Sequence, residues 1–238
     1  MSDTNSKPPP LQARWDTTRA ATSEMWGQKR RLASAMRLVI ERLVPSDAPV
    51  EELRAAADGL ERYAEALQAH PRLLRVHGHA ESANAGDVGG FFDQSPLIGL
   101  ANPLAPPVTI GQTGDATANA RVTFGSAYEG PPGHVHGGFV AAAFDEVLGY
   151  TQSLSGAPGM TGTLTVRYRR PTPLHKELLF EASLVRVEGR KIFTEATVSA
   201  EGVLTAEAEG IFVSARPGSM QELIDQREAW ESEHGRER

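Results

Sequence analysis

The sequence predicts an α+β fold in which an antiparallel sheet wraps around one central helix, preceded by an N-terminal helical extension. Three observations predict it. The segment 137–153 is apolar almost all round in its first three turns, so it requires burial on nearly every side. Strand-like segments follow it with short turns between them, which requires antiparallel pairing because a parallel return takes about a dozen residues. The first part of the chain has apolar residues at helical spacing instead.

Length and charge are those of an ordinary water-soluble protein. The 238 residues are 40% hydrophobic and carry 24 basic and 30 acidic side chains, for a formal net charge of −6. This charge offers no general electrostatic reason to bind nucleic acid or an anionic membrane. No apolar run approaches the ~20 residues that span a bilayer, and the N-terminus lacks the profile of a signal peptide. We therefore expect a cytoplasmic protein with no membrane span and no nucleic-acid partner.

The chain contains no cysteine. This excludes thiolate catalysis, disulfide bonds and Cys-ligated zinc. The pairs His77/His79 and His134/His136 each place two imidazoles on one side of an extended segment, but no third ligand lies at a telling spacing, so we expect no metal site. The candidate nucleophiles are a carboxylate, a hydroxyl, a lysine or a histidine.

The N-terminal part predicts a tail followed by two helices. Residues 1–10 are polar and end in three consecutive prolines, and we expect residues 1–17 to form a flexible tail. Residues 18–90 are expected to form the helical extension, with two amphipathic helices at about 18–44 and 50–70. Ser46 or Asp47 offers an N-cap for the second of these helices. Each has one apolar stripe, so we expect them to pack on each other or on the rest of the chain.

Residues 91–216 predict one domain, and residues 217–238 predict a C-terminal helix and tail. Segments rich in Val, Thr, Leu, Ile, Phe or Tyr and bounded by turn residues are the predicted strands. These strands are 116–124, 161–170, 177–187, 191–200 and 203–215, and the predicted helices are 137–153 and, at the surface, 221–233.

Asp145 is out of place in the apolar central helix. Ionised carboxylates are seldom buried unless they are paired or hydrogen-bonded, and burial raises their pKa, which suits a base or a nucleophile. A structural salt bridge to an arginine is the alternative. Glu146 would point about 100° away from Asp145, and we expect it to be the solvated one of the two.

The segment before this helix, PPGHVHGGFV, places two glycines at the helix start. Free N–H groups there can polarise a carbonyl oxygen, whereas a tight turn without chemistry is the alternative. Gly138 lies seven residues before Asp145, about 10 Å along a helix, so the acid cannot act on a small group held at the start of its own helix. If both act on one carbonyl, two chains must supply them, as in a two-fold dimer with composite sites.

Three segments carry a resemblance to a known family: HVHGGFVAAAFDEVLG, TGTLTVRYRRPTPL and VEGRKIF. In the first, His136 precedes Asp145 by nine residues, and the second ends in Tyr-x-Arg-Pro. Together they resemble the hotdog-fold acyl-CoA thioesterases of the PaaI/THEM4-like group, over residues Asn102 to Ser214. The resemblance implies a hotdog fold, a homodimer or dimer of dimers, and hydrolysis of an acyl-CoA, in which coenzyme A is part of the substrate and no cofactor is needed.

The resemblance also implies roles for the residues around the central helix. Asp145 would attack the thioester or activate water, as nucleophile or general base. The backbone N–H of Gly137 or Gly138 would polarise the thioester carbonyl from the neighbouring subunit. His136 would orient the loop or contact the thioester region.

A hydroxyl on the following strand completes the implied catalytic group. Relatives often place Ser or Thr ten residues before the motif proline, where it holds the attacking water or the acid. That position here is Thr161, with Thr163 two residues further along on the same strand face. Some relatives have Asn six residues before the motif His, where this chain has Gly130, so water positioning falls to Thr161 or to another residue.

Basic residues are expected to bind the coenzyme A phosphates. Arg167, Arg169 and Arg170 cluster on one strand, and Arg190 and Lys191 lie in one turn. Arginine suits phosphate geometrically, whereas edge-strand protection is the alternative. Arg169 and Arg170 face opposite sides, so at most one of them should meet a given phosphate.

Two other functions stay open at this point. One is an acyl-CoA-binding or regulatory module without turnover, with the helical extension as a docking surface. The other is an enoyl-CoA hydratase of the same fold. Thioester hydrolysis fits the acid after His-Gly-Gly better than either.

Overall fold

The computed structural model describes residues 20–21, 23–70, 93–157 and 159–214, and six residues between 222 and 232. Within these ranges the long helices are α1 (Glu24–Leu43), α2 (Val50–Gln68) and α3 (Gly137–Ser153). The strands are β1 (Thr109–Gly114), β2 (Thr117–Thr123), β3 (Gly159–Tyr168), β4 (Glu177–Glu188), β5 (Lys191–Ala200) and β6 (Val203–Ser214). Neighbouring strands pair antiparallel in the order β1-β2-β4-β5-β6-β3. The predicted fold class is confirmed.

Helix α3 lies across the inner face of the sheet and contacts all six strands. Buried and exposed residues alternate along β5, as expected for a sheet that is covered on one face. Phe144 of α3 meets Phe180 of β4 edge-on, with ring centroids 5.1 Å apart. Burying a phenylalanine stabilises a fold by about 1.5–3 kcal/mol, so this contact helps to set the rotation of α3 and the direction of Asp145.

Strand β1 was missed by the sequence analysis. Its sequence, TIGQTG, contains two glycines, and Ile110 is its one fully buried residue. The strand forms because its backbone pairs with β2, where Ile110 lies opposite Ala120. Such pairing between backbones leaves no periodic pattern in a short edge strand. In the described sheet β1 and β3 are the two edges.

Helix α1 packs on the sheet domain. This is one of the two arrangements expected for the N-terminal helices, which were predicted to pack on each other or on the rest of the chain. Ser23 caps it by accepting a hydrogen bond from the Trp26 N–H at 3.3 Å. The Arg30 side chain donates to buried Asp93 at 2.9 Å, and Arg37 donates to the Asn102 carbonyl at 2.8 Å. These contacts join α1 to the segment that leads into β1.

Helix α2 does not pack on α1 or on the rest of the described chain, contrary to expectation. All its residues are exposed apart from Gly59, which is half-buried. Its N-cap is Pro49, which makes no side-chain bond. The predicted cap by Ser46 or Asp47 is wrong, because the Ser46 hydroxyl instead accepts from the Ala48 N–H ahead of the helix.

Several predictions fall on other parts of the chain. The tail 1–17 and the pair His77/His79 lie outside the described residues. The described positions in 221–233 are helical, in agreement with the sequence analysis. Among the described helices, none combines the length and apolar character needed to cross a membrane.

Candidate active site

Asp145 lies in the third turn of α3, and Thr161 lies near the start of β3. The Thr161 hydroxyl donates a hydrogen bond to Asp145 Oδ1 at 2.8 Å. The Asp145 residue is half-buried, at the border between the apolar helix surface and the edge strand. The structure therefore brings together an acid and a hydroxyl that the sequence analysis had singled out.

Thr163 lies on the opposite face of β3 from Thr161, so the prediction of a shared strand face is wrong. Thr161 pairs with Phe212, which is buried in the core, whereas Thr163 pairs with Ile211. The register shift between them is a bulge at Gly162. A bulge adds one residue to one strand and reverses the alternation of side chains beyond it. Thr163 therefore points to the outer face of the sheet, away from α3.

The N-terminus of α3 is capped by His136, which precedes its first residue Gly137. His136 Nδ1 accepts a hydrogen bond from the Gly138 N–H at 3.0 Å. No described residue accepts the Gly137 N–H. Of the two donors proposed for a carbonyl oxygen, Gly137 is thus the one that remains available. His136 thus contacts the backbone at the helix start, and its role in orienting the loop stays a prediction.

Tyr168 joins the end of β3 to the start of α3. Its hydroxyl donates to the Gly137 carbonyl at 2.7 Å. A Cβ atom on Gly137 would lie 3.3 Å from Tyr168 Cζ, so the ring packs tightly against this glycine. Tyr168 is the tyrosine of the Tyr-x-Arg-Pro segment but is not among the predicted site residues. The contact makes it a positioning residue for the helix start.

Glu146 is half-buried rather than solvated, which corrects the prediction. Burial raises the pKa of Glu146 from an ordinary 4.5 to about 7, and the adjacent Asp145 charge contributes to the rise. Because α3 is covered by the sheet over most of its surface, the 100° rotation from Asp145 does not carry Glu146 into solvent. The apolar segments 139–144 and 147–148, which flank the two adjacent acids, were a signal for this burial.

The predicted phosphate-binding residues form two groups at opposite ends of β6. Arg169 pairs with Glu207 and Arg170 donates to the Leu204 carbonyl, whereas Arg190 donates to the Ser214 carbonyl at 2.7 Å. Leu204 and Ser214 are ten residues apart, about 33 Å along an extended strand. Lys191 is exposed beside Arg190. Within one chain the two groups do not meet.

His134, the other histidine of this loop, also makes a hydrogen bond to the backbone. His134 Nδ1 donates a hydrogen bond to the Pro132 carbonyl at 2.8 Å. The Nδ1 atoms of His134 and His136 are therefore both hydrogen-bonded to backbone groups. In the described ranges there is no group of three or more His, Cys, Asp or Glu residues that could hold a metal ion.

These features define a hotdog domain whose central helix carries an acid held by an edge-strand hydroxyl. A family model described as the thioesterase superfamily matches residues 132–207. A crystal structure described as a thioesterase superfamily protein is 34% identical, covers 78% of this chain and 94% of its own, and superposes with a TM-score of 0.69. The chain belongs to the thioesterase superfamily.

Curated relatives agree with this assignment. Acyl-coenzyme A thioesterase THEM4 of Xenopus laevis is 34% identical over 95 residues, which cover 39% of this chain and 43% of that protein. THEM4 of Bos taurus is 36% identical over 95 residues, covering 39% of each chain. The chain thus spans about two fifths of the length of the curated relatives it matches. The resemblance inferred from the three sequence segments is confirmed.

Proposed function

We propose that the protein hydrolyses acyl-CoA thioesters to a free acid and coenzyme A. The observation that carries this proposal is the hydrogen bond from Thr161 to Asp145, which holds an acid at the open edge of an otherwise apolar helix. The names of the THEM4 relatives and the superfamily assignment support the same reaction. Coenzyme A enters as part of the substrate, and no resident cofactor is proposed.

Asp145 supplies the proton transfer or the nucleophile. As a general base, it takes a proton from water while the water oxygen attacks the thioester carbon. As a nucleophile, its oxygen forms a mixed anhydride that water then hydrolyses. In both routes a C–O bond replaces the C–S bond, the sulfur leaves as a thiolate that takes up a proton, and the products are an acid and a thiol.

The thioester carbonyl accepts the Gly137 N–H of a second copy of the chain. Gly137 lies eight residues before Asp145, about 12 Å along the axis of α3, so one chain cannot place both groups on one carbonyl. β3 is an edge of the described sheet, with Thr161 near one end and Tyr168 at the other. Antiparallel pairing of two β3 strands about a two-fold axis would bring these ends together.

The same pairing accounts for the two separated basic groups. Arg190 and Lys191 lie near the Thr161 end of β3, because Ser214 pairs with Gly159. Arg169 and Arg170 follow the Tyr168 end. In a two-fold dimer, one group from each subunit would flank each composite site, and we assign them to the phosphates of coenzyme A.

Steady-state thiol release from acyl-CoA substrates of several chain lengths tests the proposal, with Asp145→Asn as the matched variant. We expect the substitution to lower kcat at least about 100-fold while folding, measured by circular dichroism, stays intact. A wild-type protein that binds acyl-CoA and releases no thiol would be a binding module instead. Hydration of enoyl-CoA without hydrolysis would make it a hydratase.

Isotope labelling detects the nucleophilic route when water attacks the aspartyl carbon of the anhydride. In a single turnover in ¹⁸O water, general-base catalysis puts the label into the product acid. Attack of water on the aspartyl carbon of a mixed anhydride would instead leave the label in the Asp145 side chain, where mass spectrometry of the peptide detects it. Label found only in the product acid is given by general-base catalysis and also by attack on the acyl carbon.

A further inference from the structure

A groove runs between α1 and the sheet domain, beside the start of α3. Its volume is 820 Å³, which lies within the range of small-molecule sites in proteins, about 300–1,000 Å³. Its apolar walls include Leu38, Ile40, Leu104, Pro106, Tyr128 and Phe139. Leu104 is 59% exposed and Leu38 is 48% exposed, so the groove presents apolar surface to solvent.

Polar contacts hold α1 in place along one side of the groove. Arg37 donates to the Leu100 and Asn102 carbonyls. Glu41 accepts from both the backbone N–H and the hydroxyl of Ser126, at 2.8 and 3.0 Å. These contacts engage Arg37 and Glu41, while Arg31, which also lines the groove, donates to the Gln28 side chain at 3.3 Å. Most of the remaining residues that line the groove are apolar, so an occupant would contact mainly hydrocarbon surface.

Gly125 marks how closely α1 approaches the domain. A Cβ atom there would lie 2.0 Å from Glu41 Oε2, so any side chain would displace the carboxylate. His175 adds to the same contact, with its Nδ1 3.8 Å from Glu41 Oε1. The position of α1 along this side of the groove is therefore set by the contacts of Glu41 with the sheet domain.

The groove reaches the first turn of α3, where the proposed carbonyl donor Gly137 lies. Phe139 forms part of its wall and follows Gly138 directly, with Cα atoms about 3.8 Å apart. The Phe139 ring packs edge-on against Tyr128 with centroids 4.8 Å apart, and the Tyr128 hydroxyl donates to the Leu104 carbonyl at 2.9 Å. One lining residue of the groove therefore lies two positions after Gly137, the proposed carbonyl donor.

We propose that the groove between α1 and the sheet domain binds the acyl chain of the substrate, so that α1 makes the protein selective for long, unbranched, apolar acyl groups. This inference rests on the proposed function. The groove follows α1 from Arg31 to Glu41, about 15 Å at 1.5 Å per residue. An extended chain of about twelve carbons, advancing about 1.25 Å per carbon from its bond length, matches this length.

The test narrows the groove and measures chain-length selectivity in the full-length protein. Leu104→Trp and Leu38→Trp fill it from opposite walls, and Leu43→Trp is the control because Leu43 is 53% exposed on α1 and outside the groove. The readout is the ratio of kcat/KM for dodecanoyl-CoA to that for butanoyl-CoA. We expect both groove variants to lower this ratio at least about 10-fold, the effect of losing roughly two buried methylenes, and the control to change it less than about 2-fold.

A second measurement keeps the inference testable if a tryptophan variant does not fold. Calorimetric binding to the Asp145→Asn protein, in which the groove is native, should give a Kd for dodecanoyl-CoA at least about 10-fold below that for butanoyl-CoA. Equal affinities, or an unchanged ratio in both folded groove variants, overturn the inference, even where hydrolysis itself is intact. A wild-type protein that hydrolyses neither substrate overturns the proposed function; the Kd for dodecanoyl-CoA, compared between the wild-type groove and the Leu104→Trp and Leu38→Trp variants, then still tests whether the groove binds the acyl chain.

Discussion

The hydroxyl of Thr161 donates to Asp145 Oδ1 across 2.8 Å and so joins the edge strand β3 to the middle of α3. The two residues are 16 positions apart, and the contact depends on the bulge at Gly162, which turns Thr161 toward the helix. A hydrogen bond to a charged group contributes about 1.5–3 kcal/mol, enough to fix the rotamer of the acid.

Replacing Thr161 by valine should lower kcat about 10-fold, because the acid loses the donor that orients it. Thr163→Val is the matched control, since it makes the same change two residues along on the outer face and should alter kcat less than about 2-fold. Thiol-release kinetics on both purified variants provide the measurement. Equal losses in the two variants would contradict the face assignment.

Replacing Gly137 by proline should lower kcat at least about 100-fold, because it removes one N–H donor at the carbonyl. Proline is well tolerated at the first position of a helix, and His136 before it already has φ −59° and ψ 130°, which a following proline allows. Gly137→Ala is the control, because it adds the same Cβ contact with Tyr168 and keeps the N–H. A similar loss in the alanine variant would mean that crowding, rather than the donor, matters.

Mixing two inactive variants tests whether each site is shared between subunits. Asp145→Asn and Gly137→Pro should each be nearly inactive alone, but a mixed dimer carries one site with neither change. After subunit exchange at equal concentrations, about half of the dimers are mixed, and about a quarter of wild-type activity should return. No recovery, despite mixed dimers seen by native mass spectrometry, would place both groups in one chain.

Glu146→Gln should stabilise the protein at pH 8 more than at pH 5. The pKa of Glu146 is about 7 in the folded state, above its ordinary 4.5, so the fold favours the protonated form. The free energy of unfolding then falls as the pH rises from about 4.5 to 7, and glutamine removes this fall. We expect the difference in gain between the two pH values to be about 2 kcal/mol, below a full conversion of the pKa change because the side chain is only half-buried.

Urea unfolding of both proteins at each pH provides the comparison for Glu146. Glu52→Gln, at an exposed position on α2, is the control and should show no such pH dependence. Equal gains at pH 5 and pH 8 in the Glu146 variant would show that this carboxyl titrates as it does in water.

Much of the sheet domain could be predicted because its elements carry local patterns. The bounds predicted for α3 and β5 agree with the structure, since an all-round apolar helix and an alternating strand between turn residues are visible within a dozen positions. β1 could not be found this way, because its glycines and polar residues pair with β2 only through the backbone. The apolar stripe of α2 was expected to pack against another element, but in the structure α2 is exposed. A stripe of apolar residues predicts a helix without identifying the surface that it packs on.

The fold class, the acid Asp145 in an apolar helix and the glycine pair at the helix start could all be read from the amino-acid order, because residue type and periodicity are local properties. Three further features became visible only in the folded chain: Thr161 and not Thr163 meets Asp145, His136 occupies the Gly138 N–H, and Glu146 is shielded from solvent. Each of these depends on partners supplied by other parts of the fold. A one-residue bulge reverses a strand face, and burial and hydrogen-bond occupancy are set by how the elements pack.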